Sequence, residues 1–226
     1  MQTRILTVFA VLLMPLPAYA QLDKISNQDA TSGLRQALVK GSGVAVDLLG
    51  RQDGFFGNQK VKIALPESLA RVEKLMRGVG LGKHADELVL TMNRAAEATM
   101  PEAKKMLVDS VRKMSVQDAK GILTGGEDSA TQYFKRSTSD QLRTAFLPIV
   151  KKATAKVKLA EKYNEYAEKG VKFGLVGKQD ANLDNYVTQK ALDGLFVMVA
   201  EEEKKIRQNP AQAASNIIAK VFGALK

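Results

Sequence analysis

Cysteine and tryptophan are absent from the chain, and histidine occurs once, as His84. Without cysteine there is no disulfide framework, no thiolate nucleophile and no cysteine-ligated metal centre. A single imidazole leaves a serine triad one place to form. His84 follows Gly82-Lys83 beside Asp86 and Glu87, with no Gly-x-Ser-x-Gly elbow anywhere, so it reads as a surface residue at a helix start. Calcium chemistry needs alternating carboxylates, and no Asp-x-Asp-x-Asp-Gly loop is present. Glu201-Glu202-Glu203 is a charge run that points around a helix rather than at one ion. The sequence therefore assigns no catalytic residue, no metal ligand and no cofactor.

Long apolar runs are scarce as well. Ile5–Met14 follows Arg4, is broken by Pro15 and Pro17, and precedes Ala18-Tyr19-Ala20. That pattern identifies residues 1–20 as a secretory signal peptide, and the apolar run is shorter than the roughly 20 residues of a spanning helix. With no cysteine near the cut, a lipid anchor is excluded. The expected mature chain begins at Gln21, has no transmembrane span and resides in the periplasm.

Aromatic residues make up only 6% of the chain. Ala, Leu, Lys and Val are abundant, a bias towards helix over sheet. Nearly every segment has helical period. Ala30–Leu49 is amphipathic, with Gly41-Ser42-Gly43 as an expected interruption. Val61–Leu65 alternates enough for one short extended segment. Pro66 is expected to open a helix that stops in the glycines 78–82, which read as a helix cap and turn rather than a phosphate loop. Helices are expected over His84–Thr99 and from Pro101 to Met114. Ser115 with Asp118 resembles a capping box, as does Thr138 with Gln141, and Pro148 is expected to kink the helix that follows the second box. Leu183–Gln208 is the longest pattern, and Leu195–Ala200 within it is apolar on every side, which marks a buried central helix. The expectation is one all-α, bundle-like domain over residues 21–226, with about eight to ten helices around residues 183–208.

The stretch ILTGGEDSATQYF, residues 122–134, looks like a binding loop. No strand precedes it and its acids would repel an anion, so it is read as an elbow. Gly125 or Gly126 would end one helix in the left-handed conformation, and Asp128 or Ser129 would cap the next.

Charge is unevenly spread. The net charge is +10, and residues 135–178 hold 11 basic against 4 acidic side chains. Lys151, Lys152, Lys156, Lys158, Lys162, Lys169 and Lys172 form a basic field suited to anionic lipid head groups or lipopolysaccharide phosphates. The alternative is a solvated helix face that keeps the chain soluble. Nucleic acid is not an expected partner outside the cytoplasm.

Two polar groupings fall on core-forming helices. Asn93 and Arg94 stand four and three residues before Glu97, and Lys190 stands four after Tyr186 and three before Asp193. These spacings share a helix face. Either the groups pair across the bundle and fix register, or together with Tyr133 they line a ligand pocket between helices. A last stripe, Ile217, Ile218, Val221, Phe222 and Leu225, suits packing on the bundle, a membrane surface or a partner.

The segments MNRAAE (92–97), DAKGILTGGEDSATQYF (118–134), LRTAFLPIV (142–150), YVTQKALDGLF (186–196) and EEEKKIRQNP (201–210) together resemble the bacterial domain-of-unknown-function family 4197. The resemblance implies an exported, largely helical protein of a Gram-negative envelope and carries over no activity or site residue. The leading expectation is a non-catalytic binding or envelope-associated protein for an anionic or amphiphilic ligand. The alternatives are an enzyme using Glu97, Lys190 or Asp193 between helices, and a structural protein docking through its last helix.

Overall fold

A computed structural model describes residues 26–80, 82–164, 182–213 and 215–224. The helices are α1 (Asn27–Gly50), α2 (Glu67–Gly78), α3 (Gly82–Lys113), α4 (Val116–Thr124), α5 (Ser129–Thr154), α6 (Leu183–Gln208) and α7 (Asn216–Gly223). Residues 158–164 are also helical, Pro210–Ala213 form a 3-10 turn, and no strand occurs among the described residues. The fold is all-α and bundle-like. In it α3 and α6 both pack on α1 and α5, and α7 lies on α1.

The central helix has the expected bounds. Asn182 caps it by accepting the amides of Asp184 and Asn185 at 2.9 and 3.1 Å. Its inner face runs from Leu183 through Val187, Leu195 and Val199, all buried, while Val197 faces outward.

Three expected breaks are continuous helix instead. Gly41-Ser42-Gly43 lies inside α1: Ser42 bonds back to the Leu38 carbonyl at 2.6 Å, and Gly41 gives Ile206 of α6 a close approach. Pro101 lies inside α3, flanked by fully buried Met100 and Ala103, whose packing holds the helix across the missing N–H. Thr138 is no cap. Its hydroxyl donates to the Phe134 carbonyl at 2.6 Å in mid-α5, the back-bonding open to a helical threonine. Pro148 also lies within α5.

Other local readings hold. Ser115 and Asp118 form the reciprocal capping box of α4. Gly80, at φ 79°, follows the end of α2, and its amide bonds to the Arg77 carbonyl. Just beyond it, Arg77 bridges Glu73 and Asp86, which raises the guanidinium pKa and lowers that of Asp86. Among the described residues no helix is long and apolar enough to cross a membrane.

Candidate functional site

Asn93 and Glu97 lie on the buried face of α3, and both are spent on backbone. The Asn93 amide receives the Ile63 N–H and donates to the Ile63 carbonyl, both at 2.8 Å, and it also donates to Val89 O at 2.7 Å. The expected extended segment around Ile63 forms no strand: the Val61 and Lys62 amides turn back to the Asn58 carbonyl, and the Ile63 peptide pairs with one side chain. Glu97 Oε1 accepts the Phe55 and Phe56 amides at 3.1 and 3.3 Å, and its Oε2 takes Arg94 at 2.7 Å. Arg94 reaches on to Asp53 at 2.7 Å, and these two carboxylates, Glu97 first, raise its pKa. Asp53 holds a φ of 64° in the same loop, which an aspartate tolerates better than most side chains. Lys62 Nζ and Arg94 lie 4.2 and 6.0 Å from the Phe56 ring centre. The grouping thus clasps the loop of residues 51–63 to α3.

The second grouping is split by the surface. Tyr186 donates to the Ala64 carbonyl at 3.1 Å, and Lys190 lies 5.6 Å from its ring centre. Lys190 and Asp193 are exposed, and Asp193 accepts from Gln189 at 2.7 Å. Tyr133 is elsewhere, on α5, where its hydroxyl donates to the Ser110 carbonyl at 3.0 Å. The seven residues therefore do not converge on one cavity. Asn93, Arg94, Glu97 and Tyr186 fasten the loop of residues 53–64, and Tyr133 ties α5 to α3.

The elbow at residues 122–134 is held from outside. Neither Gly125 nor Gly126 is left-handed: Gly125 has φ −81°, and its smallness serves close approach, since a Cβ there would meet Ser129 Cβ and the Gly121 carbonyl at 2.7 Å. Asp128 makes no capping bond and Ser129 donates to the Ile122 carbonyl instead. The cap comes from α6. Glu203 accepts the Ala130 and Thr131 amides at 3.0 and 2.9 Å and the Thr131 hydroxyl at 2.9 Å. Arg207 pairs with Glu203 at 2.8 Å and also donates to the Ile122 carbonyl and the Ser129 hydroxyl. Of the acidic run, Glu202 and Glu203 are buried. The sequence signal for this was the i,i+4 spacing of Glu203 and Arg207 beside an otherwise apolar face.

Beside this knot lies a mainly apolar crevice of about 20 Å3, room for about one water, between Leu38, Phe134, Val199 and Phe222. The basic stretch is different in kind. Lys151, Lys152, Lys156, Lys158 and Lys162 are all exposed, at the end of α5, on the following turn and in the helix of residues 158–164, while Lys169 and Lys172 lie outside the described residues.

Two larger grooves flank Arg35 on α1. One, of about 560 Å3, is walled by Arg35, Lys40 and Arg112 over Val39, Val111 and Ile218. The other, of about 540 Å3, is lined by Asn27, Gln28, Ser32 and Val116, and shares Arg35 and Gln36. Among the described residues no carboxylate lines either groove. Arg35 donates to the Met114 carbonyl at 2.5 Å, and its Nε is enclosed without an acceptor among the described residues. Sequence reasoning missed Arg35 and Arg112, because an isolated cation on an amphipathic helix has the pattern of a solvated one. The available signal was the i,i+4 pair of Arg35 and Val39, a cation beside an apolar side chain that is left exposed. Among the described residues no three metal-ligating side chains converge.

No curated protein and no solved structure matches the chain. A family model described as "Protein of unknown function (DUF4197)" matches residues 24–223, most of the chain, and the protein belongs to that family.

Proposed function

We propose that the protein is an exported, periplasmic, non-catalytic binding protein for an anionic amphiphilic ligand. The observation that carries this reading is the pair of grooves at Arg35, where three cations border an apolar floor and, among the described residues, no carboxylate lines the wall. Their volumes lie within the roughly 300–1,000 Å3 typical of small-molecule sites. The exposed lysines at 151, 152, 156, 158 and 162 support the same reading from a separate stretch of the chain, as a surface for anionic head groups.

Ligand that binds only the native state stabilises it by RT ln(1 + L/Kd), where L is the free ligand concentration, so the unfolding temperature rises with ligand concentration. Thermal unfolding followed by far-ultraviolet circular dichroism, with monomeric short-chain phosphatidylglycerol or phosphatidylcholine added, tests the proposal. The anionic lipid should raise the midpoint in a concentration-dependent way and the zwitterionic one should do so much less. An unchanged midpoint with both would contradict it.

A further inference from the structure

The groove pair also suggests the kind of amphiphile, an inference that rests on the proposed function and narrows it. Arg35 is half-buried, and among the described residues its side chain has one hydrogen-bond partner, a neutral carbonyl. A guanidinium withdrawn from water without a counter-charge favours an anion at its free edge, and its planar fork matches a carboxylate or phosphate. Arg112 stands across the groove and, among the described residues, pairs only with Asp109, at 3.4 Å in an exposed pair that competes weakly. Away from the cations, Val111 and Ile218 form a buried floor and Val39, 40% exposed, forms a rim. On the far side of Arg35 the lining changes to the amides and hydroxyls of Asn27, Gln28 and Ser32.

We infer that this groove binds a single-chain amphiphile with an oxyanion head, a carboxylate or a phosphate monoester. The head sits between Arg35 and Arg112, and the alkyl chain lies along the exposed Val39, above the buried Val111 and Ile218. The polar groove beyond Arg35 receives any hydroxylated extension of the head. The two head chemistries share their recognition by guanidinium, and the experiment separates them.

The test is isothermal titration of the full chain with dodecanoate, dodecyl phosphate, octanoate and dodecanol, each below its micelle concentration. At least one twelve-carbon anion should bind with one-to-one stoichiometry, and the tighter of the two identifies the head. Dodecanol should bind at least ten-fold more weakly. Octanoate should be weaker than dodecanoate by roughly ten-fold or more, because less alkyl surface is buried. Arg112→Gln and Val39→Asp lie at exposed positions and should each weaken binding ten-fold or more with an unchanged circular dichroism spectrum. Arg35→Lys should weaken it at least as much, but it also removes the bond to Met114, so the two exposed variants decide. Lys83→Gln, exposed and outside both grooves, should leave the titration unchanged. Absence of binding by both anions, equal binding of dodecanol, or indifference to both Arg112→Gln and Val39→Asp would overturn the groove assignment. If short-chain phosphatidylglycerol still stabilises the protein in that case, the groove assignment falls and the broader function stands; if it does not, both fall.

Discussion

Glu203 on α6 caps α5 across the bundle: its carboxylate takes the Thr131 amide and hydroxyl, each at 2.9 Å, where a neighbouring serine or aspartate would ordinarily serve. The side chain that starts one helix thus belongs to another, 72 residues later in the chain.

Removing that carboxylate leaves two helix-end amides without their acceptor and a nearly buried Arg207 without its counter-charge. Glu203→Ala should lower stability by about 3–5 kcal/mol, the cost of breaking a buried pair from one side. Glu203→Gln should cost less, since its carbonyl still accepts an amide. Urea unfolding checks both, and a loss below about 1 kcal/mol for Glu203→Ala would contradict the capping role.

Asn93→Ala should free the segment around Ile63. Two buried backbone groups lose their partner, a loss of about 2–3 kcal/mol. The Ile63 amide should then exchange with deuterium faster than the amides of α6. Unchanged protection at Ile63 would show that the segment is held by its apolar contacts alone.

Gly194 touches the loop that Glu97 clasps. A Cβ there would lie 2.6 Å from Phe55 Cε1, and the Phe55 ring is fully buried. Gly194→Val should therefore cost about 1–3 kcal/mol by overpacking. A thermal midpoint equal to wild type would mean that the loop moves aside freely.

Acid should weaken the start of α4. The Ser115 hydroxyl and amide both donate to Asp118, and together they hold its carboxyl below the usual carboxylate range. A depressed folded pKa contributes stability above the unfolded value of about 3.9, and that contribution is lost as pH falls through the lower folded value. Asp118→Asn should thus be less stable than wild type at neutral pH, with the gap closing below about pH 4. Urea midpoints from pH 7 to pH 2 measure it, and a constant gap would contradict the linkage.

Local signals were legible in the sequence where their physics is local. The capping box at Ser115, the glycine turn at Gly80 and the span of α6 each depend on residues within a few positions of one another. Gly41, Pro101 and Thr138 misled because distant packing outweighs local propensity: Ile206 sits against Gly41, and Pro101 follows the fully buried Met100. The candidate site was harder. Asn93 and Glu97 stood out as polar residues on an apolar face, yet their partners at Ile63 and Phe55 are 30 and 42 residues away. Arg35 gave no such contrast, because its groove exists only once α1, α3 and α7 meet.

The central claim, binding of an anionic amphiphile, is tested most directly by co-sedimentation with vesicles of phosphatidylglycerol and of phosphatidylcholine at low and high salt. The anionic vesicles should carry the protein down at low salt and release much of it at high salt, while the zwitterionic vesicles leave it in solution. Equal and negligible sedimentation with both would contradict the account.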